Sequence, residues 1–147
     1  MERYRAIKNP NPKAIFIRCG DPRFRIAFRD FPKELGFEQG DFVPIDVAGG
    51  PAALAYRRTR AADFCHMRRQ IEFFLGHFRS IQLVVIIGHQ DCGYYKAIGN
   101  PAPDQEKLDL PKAAKTIRGM APEAEVQSYY AKFADESREE IVFEKVG

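Results

Sequence analysis

A chain of 147 residues, 45% of them hydrophobic, is expected to form one domain, residues 1–147, large enough to bury most of its apolar surface in a single core. Its 23 Lys and Arg exceed its 20 Asp and Glu by only three, far from the dense basic stripe of a nucleic-acid binder, so no nucleic-acid partner is expected. The opening MERYRAIKNP has no apolar signal region and the apolar run at 83–87 is much too short for a bilayer, which points to a soluble, cytoplasmic protein with no membrane partner. Three cysteines, an odd number, argue against a disulfide framework and for reduced thiols that pack or bind something.

In chain order, residues 13–18 (KAIFIR) form a short branched apolar run of the kind seen in strands covered on both faces. Residues 41–46 (DFVPID) are a second strand, which Pro44 moves towards a sheet margin because proline cannot donate to the ladder. The next segment, TRAADFCHMRRQIEFFLGHF, sets Phe64, Met67, Ile71, Phe74, Leu75 and Phe78 on one helical stripe, while Arg68, Arg69 and Glu72 point elsewhere. It predicts an amphipathic crossover helix leading into a strand at 83–87 (LVVII). A proline-rich loop with one short helix at 111–118 follows. EVQSYYAKF and EIVFEKV then alternate as a terminal β-hairpin around ADESRE. The alternation of strands and helices predicts an α/β fold: a mainly parallel central sheet flanked by helices, with a C-terminal hairpin.

In such sheets ligands bind beyond the carboxyl ends of the strands. Cys19, the glycines of AGG at 48–50, and His89 with Cys92 all fall at such ends. Two thiolates and an imidazole suit Zn²⁺, and three protein ligands leave the fourth tetrahedral position open. Any one of these residues alone would read as ordinary core packing. Their convergence on one crevice favours a metal set of Cys19, His89 and Cys92. Asp21 and Arg23, on the loop after Cys19, can pair beside the metal, with one carboxylate oxygen left to accept a proton from the nucleophilic water. Without Arg23, Asp21 could swing onto the fourth position and shut the site.

Cys19-x-Asp21-x-Arg23, then ELGFEQGDFVPIDVAGG, then VVIIGHQDCGYYKA together resemble the zinc-site motifs of the β-class carbonic anhydrases, in order and approximate spacing over residues 13–97. The resemblance implies a zinc enzyme that hydrates CO₂ reversibly to bicarbonate through zinc-bound hydroxide, in a homodimer or higher even oligomer. By position it makes Cys19, His89 and Cys92 the zinc ligands, Asp21 and Arg23 the catalytic dyad, and Gly49 and Gly93 part of the substrate pocket. The sequence departs from the family at Pro22, where serine is usual, and at Gly50, where asparagine is usual. It also has a short segment ahead of the first strand and another between Cys92 and the hairpin. These differences bear on pocket walls and dimer contacts rather than on the metal.

Other readings stay open. The same site could hydrolyse COS or CS₂, or zinc could serve the fold alone, or Cys19 and Cys92 could be a redox pair, although no C-x-x-C motif is present. Cys65 is expected to pack, and Asp91 to cap the helix beginning near Gly93. Either Tyr94 or Tyr95 could wall the pocket, with core packing the competing reading. His66, Phe73 and His77 lie off the main stripe, at a subunit interface or half exposed. The arginines at 57, 58, 60, 68 and 69 read as a solvated face.

Overall fold

A computed structural model describes residues 1–147. The chain runs β1 (Ala14–Cys19), α1 (Arg25–Glu34), β2 (Phe42–Val47), α2 (Ala52–Ala55), α3 (Ala61–His77), β3 (Leu83–His89), α4 (Gly93–Ala97), α5 (Gln105–Met120), β4 (Glu125–Phe133) and β5 (Ile141–Val146). The five strands form one sheet in the order β2-β1-β3-β4-β5, parallel except for the antiparallel β4–β5 pair. This is the α/β architecture expected from the alternation of elements. No helix is long and apolar enough to cross a membrane.

The strand sequences explain the burial. Ile15, Ile17, Val84 and Ile86 face one side and pack with Met67 and Ile71 of α3 and Leu110, Ala113 and Ile117 of α5. Ala14, Phe16, Val85 and Ile87 face the other and meet Phe24, with Phe28 and Phe31 of α1. Each central strand therefore needs apolar residues on both faces, which is why Ala14–Ile17 of β1 and Leu83–Ile87 of β3 read as continuous runs. Pro44 sits on β2 at the sheet margin, as its missing donor requires.

The helix after the pocket loop is longer than expected. Instead of a short helix at 111–118, α5 spans Gln105–Met120 with Pro111 inside it. Interior proline costs about 3 kcal/mol. Against this, Leu110, Ala113, Ala114 and Ile117 form a buried apolar stripe down the helix, and burying Leu110 and Ile117, at about 1.5 to 3 kcal/mol each, contributes roughly as much as the proline costs. Cys65 is also corrected: it is exposed rather than packed, because Phe64, Met67 and Ile71 turn the core face of α3 away from it.

The chain leaves β1 for β2 on one side and reaches β3 on the other side of β1. The crevice between the carboxyl ends of β1 and β3 is thus the point where the strand order reverses, the place where open α/β sheets bind ligands. Cys19 ends β1 and His89 ends β3 at this crevice.

Candidate metal centre

Cys19, His89 and Cys92 are all buried, and their ligand atoms lie within 4.8 Å of one another. The turn after β3 brings this about. Gln90 N–H donates to Ala131 O at 2.9 Å and Asp91 N–H to Pro103 O at 2.9 Å, while Asp91 adopts a left-handed φ of 58°. That reversal sets Cys92 at the N-cap of α4. Asp91 is therefore not the cap it was expected to be.

The His89 ring Nδ1 lies 2.9 Å from Gln90 O, which fixes the proton there and leaves the Nε2 lone pair free. Phe24 packs against the imidazole with ring centroids 4.3 Å apart and planes tilted by 41°, restraining the ring. Nε2 is buried and has no hydrogen-bond partner. A buried imidazole nitrogen without a partner costs free energy unless something ligates it. The Cys19 and Cys92 sulfurs are 4.0 Å apart, close to the roughly 3.8 Å that two Zn–S bonds of about 2.3 Å span at a tetrahedral angle. The donor set fits zinc.

Electrostatics point the same way. Cys19 is pulled down to about 4, first by the Cys92 hydrogen bond and then, against burial, by His89. Cys92 is pushed up by its bond to Cys19 and by burial. Burial alone would lower His89, yet its contacts with Cys19 and Glu106 raise it. A divalent cation bound by the three groups would have to displace the proton that Cys92 retains.

Asp21 and Arg23 meet as expected. Asp21 caps the 3-10 turn Pro22–Phe24, accepting from Arg23 N–H at 2.9 Å. Pro22 occupies the first position of that turn, where a missing N–H does no harm. Arg23 engages both Asp21 oxygens, with Nη2 to Oδ2 at 2.7 Å and Nε at 3.2 Å to each, rather than leaving one oxygen free. A carboxylate offers about four acceptor positions, so Oδ2, 3.9 Å from His89 Nε2, can still accept another bond. Burial, the strongest single influence, pushes Asp21 up, but the bonds and charge of Arg23 together hold it below the ordinary aspartate value.

A cavity of about 300 Å³ opens beside the sulfurs, lined by Asp21, Ala48, Gly93 and Tyr94 among others. Gly93 has open space where a Cβ would stand. Gly49, at φ +77°, lies behind the cavity wall: a Cβ there would come within 2.3 Å of the Tyr94 ring. Tyr94 is the pocket tyrosine, and Tyr95 is 1% exposed in the core.

The sequence does not reveal the roles of Glu106 and Arg18, or the ion partners of Asp91. Glu106, 1% exposed, accepts the His89 backbone N–H and is pushed up to about 8, chiefly by burial. Arg18, beside Cys19, pairs in bidentate fashion with Asp46 at 2.7 and 3.0 Å. Asp91 gathers Lys96, Arg138 and Arg23. Only Glu106 left a signal, an acidic residue on the apolar stripe of α5.

By sequence the chain matches no protein-family model and no curated protein. By structure it is similar to β-carbonic anhydrases. Isoform I from Trichomonas vaginalis aligns over 99% of this chain and 87% of its own, with a TM-score of 0.61 at 12% identity. One of two tetrameric enzymes from Sordaria macrospora aligns over 95% and 82%, with a TM-score of 0.54 at 14% identity. The enzyme from Aspergillus fumigatus aligns over 92% and 76%, with a TM-score of 0.52 at 19% identity. The chain has the β-carbonic anhydrase fold in a divergent sequence. Within that fold it carries a Cys-His-Cys group able to hold a metal.

Proposed function

We propose that this chain is a zinc-dependent lyase of the carbonic anhydrase type, catalysing the reversible hydration of CO₂ to bicarbonate. The observation that carries the reading is the buried, partnerless Nε2 of His89 facing two buried sulfurs beside the Asp21–Arg23 pair. Zinc held by Cys19, His89 and Cys92 would supply the Lewis acidity that makes a strong nucleophile of water near neutral pH.

The chain's own residues do the rest. Asp21, kept ionised by Arg23, accepts a hydrogen bond from the attacking water and aims it, and the same contacts restrain the carboxylate from joining the donor set. Ala48, Gly93 and Tyr94 wall a space suited to a small apolar substrate. Free thiols at the site suit a reducing compartment, hence a cytoplasmic location. The tetrameric assembly of the Sordaria macrospora enzymes supports an even oligomer.

The test is stopped-flow CO₂ hydration by zinc-loaded protein across roughly pH 7 to 9, which brackets the ionisation expected for a catalytic zinc site. A zinc-dependent rate that rises with pH and disappears in Asp21→Ala supports the reading. No rate at any pH, with one zinc per chain, rejects it and leaves another small substrate or a structural metal.

A further inference from the structure

Arg23 reaches in two directions. Nε and Nη2 donate to Asp21, while Nη2 also donates to the Asp91 carbonyl at 2.7 Å and Nη1 to Asp91 Oδ2 at 3.3 Å. All three guanidinium nitrogens are thereby engaged. The side chain is 40% exposed, and otherwise only the faces of Phe24 and Phe133, 5.9 and 5.8 Å away, restrain it. A single two-residue ion pair at such exposure holds geometry weakly. The second anchor comes from the turn that carries two of the three candidate ligands.

Asp91 is built for that task. Its left-handed backbone is tolerated by aspartate and asparagine better than by most residues. Its carboxylate, 16% exposed, also receives Lys96 of α4 at 2.5 Å and Arg138 of the β4–β5 turn at 3.2 Å. These cations hold Asp91 from two other elements, so the anchor offered to Arg23 is itself fixed.

We propose that Asp91 is a positioning residue: by anchoring Arg23 from the side opposite Asp21, it keeps the guanidinium on Asp21 and that carboxylate out of the donor set of Cys19, His89 and Cys92. This rests on the metal-centre reading above. A carboxylate oxygen already 3.9 Å from His89 Nε2 needs only a small movement to compete for a metal there.

The test compares wild type, Asp91→Asn and the double variant Asp91→Asn/Asp21→Asn, each loaded with cobalt(II) and titrated with azide. Asparagine keeps the turn, and Asp91→Gly, which also accepts positive φ, is the second variant should Asp91→Asn fold poorly. Expected are one metal per chain throughout and visible bands that shift with azide in wild type. In Asp91→Asn the bands no longer respond, and in the double variant they respond again. In the zinc enzyme Asp91→Asn lowers kcat roughly tenfold to a hundredfold with KM little changed, the size of effect seen when a partner of a metal-site group is lost.

An azide response of Asp91→Asn equal to that of wild type overturns the proposal, as does a wild type that never responds. If wild type hydrates no CO₂ yet the azide response is lost in Asp91→Asn and regained in the double variant, the proposed activity falls and the role of Asp91 stands.

Discussion

The sulfurs of Cys19 and Cys92 stand 4.0 Å apart across the carboxyl end of the sheet, about twice the length of a disulfide bond. At that spacing the two sulfurs are unbonded and close enough to hold one ion between them. Purified protein is expected to hold one zinc per chain by elemental analysis. Cys19→Ala or Cys92→Ala should weaken zinc binding by about 100-fold or more, some 3 kcal/mol, in a chelator competition.

Gly49→Ala combines a left-handed backbone with a collision against the Tyr94 ring. The expected loss is about 1 to 3 kcal/mol in urea unfolding. Adding Tyr94→Ala to Gly49→Ala should remove the steric part and leave about 1 kcal/mol of backbone cost.

Asp46→Ala strands a charge. Arg18 is 7% exposed, donates two bonds to Asp46, and sends its third nitrogen to Phe28 O at 2.5 Å, tying β1 to β2 and α1. Removing its partner is expected to destabilise the fold by about 1 to 3 kcal/mol. Arg18→Met leaves no buried charge behind and should cost less in the same denaturation experiment.

Acid should weaken the turn after β3. Asp91 is held down to about 2 from an ordinary 3.8, first by Lys96, then against partial burial by Arg23 and Arg138. A carboxyl depressed in the folded state stabilises it above its unfolded pKa and loses that contribution as pH falls. In metal-free protein, stability should fall as pH drops from about 4 to about 2, and Asp91→Asn should flatten that slope. Urea midpoints at pH 5 and pH 3 measure it.

Much of this architecture is legible in the sequence, because β1 and β3 are buried on both faces and show it as uninterrupted apolar runs. Pro44 likewise announces an edge. The candidate ligands stood out because sulfur and imidazole recur at strand ends, where the topology of α/β sheets supplies the third dimension. What escaped are relationships through space. Nothing near Asp91 in the chain indicates that Arg138 will fold back from the β4–β5 turn to meet it, nor anything near Arg18 that its partner is Asp46. The reach of α5 was hidden for a different reason: Pro111 is a local stop signal, and only burial against β3 and β4 overrides it. Cys65 misled because cysteine is commonly buried, whereas the phase of α3 turns it outward.

The pairing of β1 with β3 has a temporal consequence. Cys19 and Cys92 are separated by 73 positions, and the helices and β2 between them must be laid down before the two strands lie side by side. No short segment of the chain can assemble the three donors, so a nascent chain has no template on which to capture an ion. Capture of an ion by all three donors would therefore follow the long-range closure of the sheet. An ion taken up there would stabilise the folded chain alone, by mass action, since the unfolded chain does not present the three donors together. Metal supply and folding yield should accordingly rise and fall together.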